Sequence, residues 1–156
     1  MTFRRGTLSI IEGLLLLAAV VCVSELGLWA HHWMWEQGQL LAGRTTMRDV
    51  ARTIEVMRFR AAAQHRPFEL FIDPSHGRFQ LMARRDGPQA SVGWVERTIW
   101  LPRGLQIVDA PTVLTVSPTG PFPTTSIIVN APASERRFRL TTNETGIVQL
   151  DEESTL

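Results

Sequence analysis

The sequence predicts an α+β fold, a long N-terminal helix packed on a small antiparallel β-sandwich. Three observations carry that expectation. Residues 1–66 contain no proline, whereas all nine prolines fall from Pro67 onward. Apolar residues recur at spacings of three and four before that boundary and at every second position after it. The chain also opens with the basic hexapeptide Met1-Thr-Phe-Arg-Arg-Gly6 and then runs apolar from Thr7 to Val23, with Glu12 as the one charge.

These shifts divide the chain into a basic leader over 1–6, an apolar transmembrane or filament-core helix over 7–32, an amphipathic helix over 33–66, a β domain over 67–150 and an acidic tail over 151–156. A β domain of that size holds a modest core and leaves no room for a large catalytic barrel. The formal net charge is +1, so no global field points toward nucleic acid. The single cysteine, Cys22, lies inside the apolar run and can close no internal disulfide.

The apolar segment has the length of a membrane span. Gly13–Val23, with Ile10, Ile11 and the stretch Leu26–Ala30, supplies about twenty lipid-compatible residues, which is what a hydrocarbon core of about 30 Å needs. Arg4 and Arg5 before it place the N-terminus in the cytoplasm. Trp29, Trp33 and Trp35 follow it, either as an interfacial belt or as helix-packing residues. A cleaved secretory signal would share the basic start. Leu28-Trp29-Ala30, however, fits a small-residue cleavage site poorly, and the helical spacing continues past it. Glu12 and Glu25 are costly in a bilayer unless paired, protonated or at an interface. Glu25 falls near the outer boundary. Glu12 opens the apolar run, where it either lies at headgroup level or pairs with the new α-amino group of a neighbouring subunit once the leader is removed.

Beyond the span, Met47, Val50, Ala51, Ile54, Met57 and Ala61 form one apolar helix face, with Arg48, Asp49, Arg52 and Glu55 on other sides. Arg52 and Glu55 have the spacing of a surface pair, and Gly38 and Gly43 predict a bend. An uninterrupted helix over residues 7–65 would be about 88 Å long at 1.5 Å per residue. The β domain cannot cover such a rod. Its first half requires lipid or other helices, and its second half the β domain.

After Pro67, Phe68, Leu70 and Ile72 alternate with polar neighbours, Pro74-Ser-His-Gly77 turns the chain with Asp73 as its start, and Phe79, Leu81 and Ala83 alternate again. Further strands are expected at 92–95, 98–101, 105–108, 113–117, 126–130, 136–142 and 147–150. The tail 151–156 is expected to fray.

The sequence offers no catalytic constellation and implies no metal and no cofactor. His31 and His32 are adjacent and face different sides of a helix, so they cannot chelate one ion as an i, i+4 pair would. His65 and His76 fall at a helix end and in a turn, and Ser117 and Ser126 have no partnered histidine in view. Asn143-Glu-Thr145 has the pattern of a glycosylation sequon. Arg136, Arg137 and Arg139 are a small basic set on one strand, with Arg137 and Arg139 on the same face. They read either as a solvated face or as two or three phosphate contacts.

The order of basic leader, Gly6, apolar helix with the early Glu12, amphipathic helix and strands resembles the type IV pilin and pseudopilin superfamily. The soluble part is similar to the GspH/FimT type of minor pseudopilin. That similarity lies in Ala51 to Asp73, in Gly93-Trp-Val95, in Val116-Ser-Pro-Thr-Gly120 and in an Arg-rich strand closing on Thr145-Gly-Ile-Val148. The resemblance implies a pilin-like fold and a non-catalytic filament subunit in the bacterial inner membrane, its β domain in the periplasm. Its partners would be prepilin peptidase, other pseudopilins or minor pilins, and secreted cargo. It implies cleavage between Gly6 and Thr7 with methylation of the new terminus, and an assembly role for Glu12. It also allows FimT-like DNA binding through Arg136, Arg137 and Arg139. Two features depart from the family pattern. Thr7 stands where the family begins with Phe, and Glu12 is sixth after Gly6 rather than fifth. Moving the cut to Thr7/Leu8 restores the fifth position and loses the glycine.

Overall fold

The computed structural model describes residues 10–83 and 93–154. Gly6 and Thr7, the expected processing site, lie outside the described residues. The chain divides into two compact units, Met1–Glu36 and Gln37–Leu156. One helix, α1 (Ile10–Gln64), contributes to both. Its length follows from the absence of proline. It ends where His65 turns to φ 50° and Pro67 can no longer donate to the helix.

In the second unit, eight strands follow among the described residues: β1 (Phe68–Asp73), β2 (Arg78–Ala83), β3 (Trp94–Trp100), β4 (Gln106–Asp109), β5 (Val113–Val116), β6 (Thr125–Ala131), β7 (Arg136–Thr142) and β8 (Val148–Ser154). They form two four-stranded antiparallel sheets, ordered β3-β2-β1-β5 and β4-β6-β7-β8. The chain changes sheet on entering β4, again on entering β5 and again on entering β6, which interlocks the two layers. Alternation places Phe68, Leu70, Ile72, Phe79 and Leu81 inward from one sheet and Ile127, Val129, Phe138 and Leu140 inward from the other. Met47, Val50, Ile54, Met57 and Ala61 of α1 are fully buried in the same core, so the helix face read from spacing is the packed face. An α+β arrangement of a long helix on a small antiparallel sandwich is the observed architecture.

Four local expectations change. The predicted strands at 92–95 and 98–101 are one strand over its described residues, because a β-bulge absorbs the irregular spacing: Leu81 pairs with Arg97, Met82 with Val95, and Glu96 is the extra residue. The tail does not fray over its described residues. Asp151–Ser154 continue β8 in register with β7. α1 runs through Gly38 and Gly43 as unbroken helix, and Gly43 serves close packing: a Cβ there would lie 2.5 Å from Cε2 of the buried Phe138 ring. Arg52 and Glu55 form no ion pair among the described residues.

Candidate assembly helix and arginine strand

From Glu12 to Trp35 every side chain of α1 is exposed. Leu14, Leu17, Val20, Leu28 and Trp29 stand between 61% and 73% open. Covering a side chain of this size is worth about 1.5–3 kcal/mol, so water is the wrong solvent for this segment. It belongs to the one helix among the described residues that is long and apolar enough to cross a membrane. Two of its polar groups are met within the helix. Ser24 Oγ donates to the Val20 carbonyl. His32 Nε2 lies 2.9 Å from Glu36 Oε1, one turn on, so one of the two histidines is tied to a carboxylate at the end of that run. Glu12 lies in the first turn of the described helix, exposed at the start of the apolar surface. Cys22 is an exposed free thiol on the same surface.

The arginine strand is β7. As the period-2 rule requires, Arg137 and Arg139 share the outer face of their sheet while Phe138 and Leu140 are buried. Sequence reasoning missed their surroundings. β8 lies alongside and presents acids in register: Arg137 faces Glu153, and Arg139 faces Asp151. Arg139 Nη2 is 3.3 Å from Glu153 Oε2, Arg136 Nε is 4.0 Å from Glu152 Oε1, and Arg137 Nε donates to Asn130 Oδ1 at 3.2 Å. The acidic tail therefore neutralises the basic strand. An acidic run carries little β-propensity, so no local signal placed it there.

Other charged groups fasten α1 to both sheets. Arg44 forks onto Glu152 of β8, Asp49 accepts from Arg97 of β3, and Arg60 donates to Glu96 of β3. Arg58 donates to the Thr145 carbonyl ahead of β8. Beside this clamp the Arg66 guanidinium lies 4.7 Å from the Trp94 ring centroid and 5.3 Å from that of Phe68, with Glu96 at 3.7 Å. At the far end of β1, Asp73 organises its turn. Its carboxylate accepts from Ser75 Oγ, the His76 backbone N–H and Arg78 Nε, and lies 2.8 Å from His76 Nδ1. The Ser75 hydroxyl, helped by His76 and Arg78, holds the Asp73 carboxyl well below the usual carboxylate range. Ser75 and His76 both address Asp73, and Ser75 Oγ also lies 3.2 Å from His76 Nδ1, so the three side chains form one exposed turn-building cluster. Among the described residues no three His, Cys, Asp or Glu side chains gather to hold a metal ion.

No protein-family model and no curated protein matches the chain. A solved structure does: the minor pseudopilin EpsH from the Type 2 Secretion System of Vibrio cholerae, at a TM-score of 0.57 and 16% identity, over 70% of this chain and 95% of that one. The fold is pilin-like. At this identity the likeness is one of backbone architecture. Within the pilin-like fold the outward-facing apolar helix and the arginine strand are separate features, on different elements with different chemistry.

Proposed function

We propose that this chain is a minor pseudopilin, a non-catalytic structural subunit of a type II secretion pseudopilus or a type IV pilus-like filament. The observation that carries the proposal is the exposed apolar half of a helix whose other half is built into a pilin-like β domain. Such a surface suits lipid first and the helices of neighbouring subunits afterwards, because both supply the apolar contact that water cannot. In this reading residues 7–32 hold the subunit in the inner membrane with the N-terminus cytoplasmic and the β domain periplasmic. Prepilin peptidase removes the basic leader after Gly6 or Thr7. Glu12 then offers its carboxylate to the free α-amino group of an adjacent subunit, so that each buried charge is compensated by the other. Other pseudopilins, and through them secreted cargo, are the partners.

DNA binding through Arg136, Arg137 and Arg139 is disfavoured by the acids that β8 sets against them.

The deciding experiment is the mass of the mature N-terminus in cells with and without prepilin peptidase. A peptidase-dependent start at Thr7 or Leu8 supports the proposal. An intact Met1, or a start near His31, overturns it and leaves an anchored or secreted β domain. In the same cells, Glu12→Val is expected to insert into the membrane and be processed, yet fail to cross-link with other pseudopilins.

A further inference from the structure

A groove of about 300 Å³ opens between α1 and the edge strand β3. Arg52, Val56 and Arg60 of the helix form one wall, Leu81 of β2 contributes an apolar floor, and Glu96 and Arg97 of β3 form the other wall. The bulge in β3 makes this wall. With Glu96 as the extra residue, it and Arg97 both reach groups on or just beyond α1. Among the described residues, three of the four arginines at or beside the groove are already engaged: Arg60 Nη1 is 2.6 Å and Arg66 Nη2 3.7 Å from Glu96, and Arg97 Nη2 is 2.6 Å from Asp49. Arg52 differs from them. It is exposed and makes no hydrogen bond, ion pair or ring contact among the described residues.

The lining itself is net positive, with Arg52, Arg60 and Arg97 against the single carboxylate of Glu96. A guanidinium without a partner beside an apolar floor fits a ligand that is anionic at one atom group and apolar next to it. We propose that the groove docks an acidic segment of a partner protein, one carboxylate forked on Arg52 and a neighbouring apolar side chain against Val56 and Leu81. Duplex DNA suits it less. The apolar floor of Leu81, with Val56 beside it, offers phosphate nothing. This docking goes beyond the filament role and does not require assembly through the apolar helix.

The test uses the full chain in micelles of a neutral detergent and a fluorescein-labelled capped hexapeptide alternating glutamate and leucine, read by anisotropy. The wild type is expected to bind it and to release it as salt rises. Arg52→Ala should weaken binding about tenfold. Arg48→Ala, one turn earlier and outside the groove, should leave it unchanged. Val56→Glu should abolish it by placing a carboxylate in the groove. Far-UV circular dichroism on each variant checks the fold, which the exposed position of Arg52 leaves intact. Absence of binding, equal binding by Arg52→Ala, or equal binding of the glutamine–leucine peptide would each overturn the proposal. So would duplex DNA displacing the peptide in an Arg52-dependent way, which would assign the groove to nucleic acid.

Discussion

Arg44 on α1 forks across Glu152 on β8, Nε to Oε2 at 2.6 Å and Nη2 to Oε1 at 3.0 Å, joining residues 108 positions apart in sequence. The guanidinium holds the Glu152 carboxyl below its ordinary value, and the carboxylate raises Arg44 above its own. A depressed carboxylate contributes stability that is whole above the unfolded value, about 4.3, and that disappears as pH falls through the folded one. Arg44 stays charged throughout that window. Glu152→Gln is therefore expected to lower the thermal midpoint at pH 7 and to lower it less at pH 3. Parallel curves at both pH values would show that the pair carries no pH-linked stability.

Gly43 and Gly38 test two opposite consequences of the same substitution. A Cβ at Gly43 meets Phe138 Cε2 at 2.5 Å and Cζ at 2.9 Å, and that ring is fully buried and cannot withdraw. Overpacking of this kind costs about 1–3 kcal/mol, more than the gain of about 1 kcal/mol that alanine brings to a helix interior. A Cβ at Gly38 meets nothing within 4 Å. Gly43→Ala should destabilise and Gly38→Ala should stabilise, as read by chemical denaturation of the full chain in detergent.

How far these features could be read from residues alone depends on whether their cause was local. The apolar face of α1 and the β1–β2 hairpin were legible, because Met47, Val50 and Ile54, or Phe68, Leu70 and Ile72, state their own period. β7 was legible to the residue, since Arg136–Thr142 alternates between charge and bulk. β8 was legible only as far as Leu150. What makes Asp151, Glu152 and Glu153 a strand is the basic strand beside them, together with Arg44 from the helix. The packing role of Gly43 was not legible, because spacing cannot show a phenylalanine 95 residues away. The groove at Arg52 was hidden for the same reason: it depends on a bulge at Glu96 that has no sequence signature.

His65 ends α1 with φ 50°, in the left-handed region where a Cβ is unfavourable. Glycine is the usual residue at this position after a helix. His65→Gly should stabilise the chain by about 0.5–1 kcal/mol, the relief of left-handed strain less the added freedom of the unfolded chain. His65→Ala, which keeps the Cβ, should show no such gain. If both variants gain equally, the imidazole rather than the backbone is the source of strain.

Asp73 supplies a second pH-linked group with a different cause. Its carboxyl is held well below the ordinary range first by the Ser75 hydroxyl and then by His76 and Arg78. As with Glu152, the sign is loss of stability toward acid, and the contribution is complete above about pH 4. In a carboxyl-carbon NMR titration Asp73 should remain ionised while ordinary aspartates protonate, and Ser75→Ala should move it toward them. A normal midpoint in the wild type would show that the turn does not hold the anion.

The acids of β8 decide whether the arginine strand can meet DNA. Arg139 is engaged by Glu153 at 3.3 Å, and Arg136 lies 4.0 Å from Glu152. A phosphate would have to displace these carboxylates or tolerate them nearby, and both cost binding. The wild-type chain is therefore expected to show no retention of a 20-bp duplex at about 0.15 M salt, the ionic strength at which surface charges are screened beyond about 8 Å. Arg137→Ala with Arg139→Ala should make no difference. Removing the opposing charge is the sharper test. Asp151→Asn with Glu153→Gln leaves Arg137 and Arg139 uncompensated, and two freed phosphate contacts predict a logarithmic salt slope of about −2. Retention by the wild type that is lost with Arg137 and Arg139 would instead make this face a nucleic-acid site despite its acids.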